Sequence, residues 1–97
     1  MLIISKRTLR RYWEMHREAE RPLRAWHGEV RAADWSSPAD VKRELRNVSI
    51  VGSDRLVFNI AGNKYRLIVR VDYRYKVVFI RFIGSHADYD KIDARSV

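Results

Sequence analysis

The sequence contains no cysteine, which excludes disulfide bonds, thiolate metal ligands and a cysteine nucleophile. It has no apolar run close to the roughly 20 residues that a membrane-spanning helix needs. Its short apolar run at residues 2–4 precedes the first basic residues, the reverse of a signal peptide. Phosphate-binding loops, nucleophile elbows and dinucleotide-binding glycine patterns are also missing. We therefore expect a cytoplasmic protein that does not act at a membrane and needs no cofactor.

Positive charge is what the sequence has in excess. Its 20 Lys and Arg residues outnumber 12 Asp and Glu residues, which gives a net charge of +8. Such an excess favours a polyanionic partner, either a nucleic acid or an acidic protein. A chain of 97 residues predicts one domain, residues 1–97, and the charge belongs to its folded body because no basic tail is present.

The hydrophobic pattern changes near residue 47 from helical spacing to strand-like alternation. Three helices are predicted before this point, after a short strand at residues 2–4, and their three tryptophans are expected in the core. Four strands are predicted after it, over residues 48–51, 55–61, 64–73 and 76–84. Ser37 and Ser85 are predicted helix caps, Ser85 opens a last short helix, and the tail from Asp93 is expected to fray. The predicted fold is α+β, mainly helical over 1–46 and mainly strands over 47–97, with helices on one face of a small antiparallel sheet.

The strand predicted over residues 64–73 carries cations at alternate positions. Lys64, Arg66 and Arg70 share one face with Ile68. Same-face neighbours on a strand lie about 7 Å apart, close to the roughly 6–7 Å between successive phosphates of a nucleic acid. The row therefore indicates a nucleic-acid contact, which Arg74 and Lys76 extend. The alternative is a solvated face whose cations pair with local carboxylates.

Arg81 stands in the next strand between Phe79 and Ile83, so its charge falls in an apolar setting. A buried charge needs a partner. Two interpretations stay open: an ion pair with Asp72, Asp88 or Asp90, or an arginine held for a phosphate.

His86 follows that strand and begins the last helix. A histidine titrates near neutral pH, and a helix N-terminus favours the neutral ring that a base requires. Tyr89 lies one turn later. The alternative is a capping or packing histidine, with Tyr89 covering the sheet. His16 and His27 lie on the N-terminal helices without a comparable setting, and the histidines lack metal-ligand spacing, so no metal is expected.

Two stretches resemble the HigB toxin family. Residues 57–67 are similar to the family's hairpin, and residues 80–93 are similar to its closing motif, an arginine-bearing strand followed by His-x-x-Tyr-Asp. The N-terminal stretch 4–9 and the Leu23-x-x-Trp26 helix are similar as well. Ser85 stands where the family pattern leads us to expect threonine, and it keeps the capping hydroxyl.

This resemblance implies a RelE-like fold and a toxin that cuts mRNA, commonly on the ribosome. It also implies a cognate antitoxin of the HigA type with a helix-turn-helix domain, through which alone the toxin meets operator DNA. Active sites of RelE-like toxins are typically free of metal and built from basic residues.

Metal-free cleavage uses the neighbouring 2′-hydroxyl of the RNA as nucleophile. The protein must accept that proton, protonate the leaving oxygen and stabilise the charge on phosphorus. We assign Arg66 and Arg81 to the phosphate and His86 to proton transfer, with Tyr89 in support. We assign RNA binding to Lys64, Arg70, Arg74 and Lys76. A nonenzymatic basic module for RNA or DNA would need the cations but neither His86 nor Tyr89, and a protein-interaction domain would need none of them.

Overall fold

The computed structural model describes all residues from 1 to 97 and has the predicted α+β composition. The strands are β1 (Leu2–Ile4), β2 (Ser49–Val51), β3 (Arg55–Ile60), β4 (Tyr65–Asp72) and β5 (Val77–Ser85). The helices are α1 (Lys6–Met15), α2 (Glu20–Ala32), α3 (Pro38–Glu44) and α4 (His86–Tyr89), with a 3₁₀ turn at Arg17–Ala19 between α1 and α2. None of these helices is long and apolar enough to cross a bilayer.

The five strands form one sheet in the order β1-β5-β4-β3-β2. Strands β2 to β5 are an antiparallel meander, and β5 is an interior strand as its apolar sequence predicts. Strand β1 pairs with β5 in parallel, so the sheet is mixed where the sequence predicted an antiparallel one. The three helices after β1 carry the chain to the opposite edge at β2, and the meander returns across the sheet until β5 lies beside β1.

The helices α1, α2 and α3 cover one face of the sheet. Their apolar stripes bury Leu9, Leu23 and Val41 completely, and all three tryptophans are buried as predicted. The alternation of β4 turns Leu67 into this core. Burying one such aliphatic side chain contributes about 1.5–3 kcal/mol, so the helix-facing side of the sheet supplies most of the folding energy.

The last segment of the chain covers part of the opposite face of the sheet. Ala94 is buried against Val57 and Ile68, and Ile92 and Val97 pack around them. The expectation that the tail from Asp93 frays was wrong, because its apolar residues Ala94 and Val97 pack on the apolar middle of this face. Ile68 is 0% exposed, so the cationic row on β4 is interrupted by a covered patch.

Two serine caps fix short helices as predicted. The Ser37 hydroxyl accepts a hydrogen bond from the Asp40 amide at 3.4 Å, and the Ser85 hydroxyl accepts one from the Asp88 amide at 3.1 Å. Such a cap satisfies an amide that the helix leaves free. The Ser85 cap turns the chain from β5 directly into α4, which places His86 and Tyr89 at the end of the sheet.

Candidate active site

The beginning of β4 and the end of β5 form one end of the sheet, which we call the β4–β5 end and define by Lys64, Tyr65, Ser85 and His86. Tyr65 and Ser85 are paired in the strand register. The backbone amide of His86 donates a hydrogen bond to the Lys64 carbonyl at 3.3 Å. The turn between β3 and β4 and the start of α4 therefore lie side by side.

Arg66 is the one buried charged side chain, 9% exposed, on the sheet face away from the helices. Its Nη2 donates to Oδ1 of Asn63 at 2.7 Å, and its Nη1 donates to the Asn63 carbonyl at 3.2 Å. The Tyr89 ring centroid lies 5.9 Å from Cζ of Arg66. No carboxylate forms an ion pair with Arg66. A buried cation held only by neutral oxygens favours the approach of an anion.

His86 pairs with a carboxylate on its own short helix. Its Nδ1 lies 3.1 Å from Oδ2 of Asp90, and about half of each side chain is exposed. A carboxylate only accepts, so Nδ1 carries the hydrogen. The sequence suggested a neutral ring at a helix N-terminus, but α4 has only 4 residues and the contact that orients the ring is Asp90.

The predicted RNA-binding residues are divided between the two ends of the sheet. Lys64 is at the β4–β5 end, where its Nζ lies 3.2 Å from Oε1 of Glu18 and its side chain is 62% exposed. Arg70 lies farther along β4 with its guanidinium 4.5 Å from the Phe79 ring centroid. Arg74 and Lys76 lie in the turn between β4 and β5, at the opposite end.

Lys76 is engaged in structural contacts. Its Nζ donates to the Trp35 carbonyl at 3.0 Å and to Oγ of Ser36 at 2.8 Å, and it pairs with Asp34 at 2.9 Å. These bonds hold the segment before α3 against the sheet. The sequence does not reveal them because the two segments are far apart along the chain.

Arg81 is exposed, so the expectation of a buried charge was wrong. The register of β4 against β5 shifts between Ile68 and Val69, and this bulge makes Arg81 an extra residue that turns outward. None of the three aspartates considered is its partner; its Nε donates to the Val97 carbonyl at 3.3 Å. The same carbonyl accepts from Arg55, which begins β3, so Arg81 points away from Arg66.

A cluster that sequence reasoning missed joins the end of α1 to the β4–β5 end. The rings of Tyr12 and His16 are stacked with centroids 4.1 Å apart, and both stand edge-on to Tyr65. Glu18, in the 3₁₀ turn, accepts hydrogen bonds from the Tyr65 hydroxyl and from Lys64. The available sequence signal was the i, i+4 spacing of Tyr12 and His16 on one helical stripe, but nothing in it indicated which strand they meet.

The cluster has a defined protonation pattern. Hydrogen bonds from Tyr65 and Lys64 lower the pKa of Glu18 to about 2. The bond to Glu18 and burial raise the pKa of Tyr65 to about 12. Burial, with Asp88 and Glu18 nearby, also raises the pKa of Tyr12. At neutral pH the cluster therefore holds an ionised Glu18 between protonated phenols.

Comparison with known proteins places this chain among the RelE-like toxins. A family model described as HigB toxin, RelE-like toxic component of a toxin-antitoxin system, matches residues 19–92. The chain belongs to the HigB toxin family, and the resemblance seen in the sequence is confirmed. The matched region includes Lys64, Arg66, His86 and Tyr89, whereas His16 and Glu18 precede it.

One curated relative shows the same relationship over part of its length. An mRNA interferase HigB of Escherichia coli O6:H1 is 26% identical to this chain over 65 residues, which are 65% of this chain and 63% of the relative. The chain thus matches less than two thirds of the length of that relative. No group of three His, Asp or Glu side chains in the structure could hold a metal ion.

Proposed function

We propose that this toxin is an endoribonuclease that cleaves mRNA without a metal ion. The observation that carries the proposal is Arg66, a buried cation without a carboxylate partner. Asn63 fixes it next to Tyr89, and the helix of Tyr89 begins at His86, which pairs with Asp90. The relative's name, mRNA interferase, supports mRNA as the molecule acted on. We also propose that residues 1–97 act as one toxin domain.

Four residues at or beside the β4–β5 end have proposed roles in cleavage through the 2′-hydroxyl. Lys64 is exposed and contacts the scissile phosphate, and Arg66 contributes its charge from beneath Tyr89. His86 transfers a proton, with Asp90 balancing the positive charge of the protonated ring. Tyr89 covers Arg66 and orients the RNA. Stabilising the developing charge in a partly dry site usually contributes more to the rate than any other single effect.

The remaining cations contact RNA outside the scissile phosphate. Arg81 is exposed. Gly84, which pairs with Arg66, lies three residues farther along β5, and three strand residues span about 10 Å. We assign Arg81 and Arg70 to neighbouring phosphates rather than to the reacting one. We assign Arg74 only a peripheral contact with RNA. Lys76 is given no RNA contact, because its amine is bonded within the protein.

A toxin of a toxin-antitoxin system has an antitoxin partner, and we propose the type of both partners here. The antitoxin is of the HigA type, with a helix-turn-helix domain that alone contacts operator DNA. The RNA is mRNA on the ribosome. The net charge of +8 suits both an acidic antitoxin and RNA. A short acidic helix-turn-helix reading frame next to the gene, whose product copurifies with this chain and restores growth, would support this part.

The cleavage activity is tested with a defined mRNA, free and on translating ribosomes. On free RNA, excess chelator is added, and cleavage is expected to persist. Ribosomes need Mg²⁺, so the chelator is not used with them. Instead, a phosphorothioate is placed at the mapped cleavage site, and cleavage is compared with and without Mn²⁺. We expect that Mn²⁺ does not restore cleavage. Binding without cleavage in both formats would identify a nonenzymatic RNA-binding module, and a requirement for a divalent ion would overturn the mechanism.

A further inference from the structure

We propose that His16 is the general base of this site and that His86 is its general acid. The inference rests on the proposed function, because it assigns the two proton transfers of RNA cleavage. His16 directly follows α1, before the region that the family model matches, and neither the sequence pattern nor that match assigns it a role.

Cleavage through the 2′-hydroxyl needs two proton-transfer groups when no metal takes part. One group accepts the proton of the nucleophile, and the other protonates the leaving oxygen. The β4–β5 end as predicted from the sequence contains one histidine. The fold adds a second histidine, His16, which stacks on Tyr12 and makes an edge contact with Tyr65, the first residue of β4.

The geometry of His16 suits a base. Its Nδ1 lies 3.2 Å from the Tyr12 carbonyl, and because a carbonyl only accepts, Nδ1 carries the hydrogen. In the neutral ring Nε2 is then the acceptor, and no protein group occupies it. Stacking on Tyr12 and the edge contact with Tyr65 fix the plane of the ring, so Nε2 keeps one direction.

The geometry of His86 suits the complementary role. Its Nδ1 faces the Asp90 carboxylate at 3.1 Å, which stabilises the positive charge of a ring that carries both protons. Its Nε2–H is then the donor. One ring is thus held against a neutral carbonyl and the other against an anion, which gives the two histidines different tasks.

Lys64 connects the two halves of this site. Its carbonyl accepts the amide hydrogen of His86, and its Nζ reaches Glu18, two residues after His16. In this proposal a phosphate bound by the exposed amine of Lys64 lies between the two segments that carry the imidazoles. Glu18 positions Lys64 and, because it also binds Tyr65, ties that amine to the ring cluster that holds His16.

The reaction balances with these groups alone. Nε2 of His16 takes the proton of the 2′-hydroxyl, and the 2′-oxygen forms a bond to phosphorus. The bond from phosphorus to the 5′-oxygen breaks, and Nε2–H of His86 gives its proton to that oxygen. The products are a 2′,3′-cyclic phosphate and a 5′-hydroxyl, with His16 protonated and His86 neutral until solvent restores both.

The pH dependence of this pair is determined by the groups around it. His16 contacts Tyr12 on α1 and Tyr65 on β4, and Glu18 binds both Tyr65 and Lys64 beside this ring cluster. His86 faces Asp90, with Asp88 on the same helix. The pKa of Glu18 is lowered to about 2 and that of Tyr65 is raised to about 12, so neither titrates near neutrality. The proposed base and acid together predict a bell-shaped pH–rate profile.

The test compares His16→Gln and His86→Gln with His27→Gln as the matched control, since His27 lies beside Lys6 and Arg31 near β1, away from the β4–β5 end. Rates are measured on RNA and on RNA with sulfur in place of the scissile 5′-oxygen, a leaving group that needs no acid. Each site variant should lose about 10²–10⁴-fold on ordinary RNA. The sulfur substrate should rescue His86→Gln and leave His16→Gln slow, and His16→Gln should lose the acidic limb of the pH profile.

A second variant separates chemistry from packing. His16→Phe keeps an aromatic ring against Tyr12 but has no titratable nitrogen, so it should fold, bind RNA and remain as slow as His16→Gln. Cleavage by either His16 variant at the rate of His27→Gln overturns the inference and leaves the proposed function standing. Rescue of both His16 variants by the sulfur substrate also overturns it, since that would make His16 the acid. A wild-type chain that cleaves no RNA in any format contradicts the proposed function itself.

Discussion

The carboxylate of Glu18 accepts a hydrogen bond from the Tyr65 hydroxyl, which joins the turn after α1 to the first residue of β4. The same oxygen accepts from Lys64. One carboxylate thus anchors a buried phenol and an exposed amine at the end of the sheet where the candidate active site lies. No sequence pattern links the turn after α1 to the start of β4, so this bond could not be predicted from the sequence.

This bond predicts a loss of stability in acid. The pKa of Glu18 is lowered from 4.5 to about 2, so its contribution is complete above pH 4.5 and is lost as the pH falls toward about 2. Denaturant unfolding between pH 7 and pH 2 should show a steeper decline for the wild-type chain than for Glu18→Gln. Glu14→Gln, on the exposed side of α1, is the control and should follow the wild-type curve. Parallel curves for wild type and Glu18→Gln would contradict the role of this bond.

The sequence predicts the fold class, the strand boundaries to within one or two residues, and the Ser85 cap that places His86. These features depend on local patterns of apolar and capping residues. The position of Arg81 could not be predicted, because a bulge in β5 changes which residues face outward and depends on pairing with β4. The same holds for His16, whose setting arises only when α1 packs against the beginning of β4.

The cationic row on β4 shows a different limit. Alternation correctly separates Arg66 and Arg70 from the core face, but it cannot show that Ala94 and Val97 return to cover Ile68 between them. Neither sequence interpretation of this face, an open RNA track or a solvated surface, describes it fully. The exposed part of the row is confined to its two ends.

The covered patch leads to a stability prediction. Ala94→Asp would bury a carboxylate against Val57 and Ile68. Because a buried polar group without a partner loses its hydration, the change should cost about 1–3 kcal/mol or more. Ala87→Asp is the matched control, since Ala87 is exposed in α4. Thermal melts should show a large decrease for the first variant and almost none for the second. Equal melting temperatures would mean that the last segment does not pack on the sheet.

The two arginines of the predicted phosphate site should differ in their effects. Arg66→Lys keeps a charge but cannot reproduce the bonds to Asn63 at both Nη atoms, and we expect a loss of roughly 10²–10³ in cleavage rate. Arg81→Ala should mainly weaken RNA binding and flatten its salt dependence. Cleavage and binding are measured on folded protein at several salt concentrations. Full activity of Arg66→Lys would remove Arg66 from the site.

Lys76 should affect stability and not cleavage. The substitution Lys76→Met removes the amine and breaks its bonds to Trp35, Ser36 and Asp34. Because the group is partly exposed, we expect the free energy of unfolding to fall by no more than about 1 kcal/mol per hydrogen bond. Arg74→Met removes a charge from the same turn without such bonds and should leave the unfolding free energy nearly unchanged. If Lys76→Met slows cleavage by folded protein tenfold or more, Lys76 belongs to the RNA-binding surface after all.

The proposed reaction runs through the substrate's own 2′-hydroxyl, and one substitution in the substrate tests this. The cleavage site is mapped on a defined mRNA in the format that the wild-type chain cleaves, and that single nucleotide is then replaced by its 2′-deoxy form. We expect 2′,3′-cyclic phosphate and 5′-hydroxyl ends from the unmodified mRNA and no cleavage at the deoxy position. Cleavage of the deoxy substrate, or products with 5′-phosphate ends, would contradict the proposed reaction.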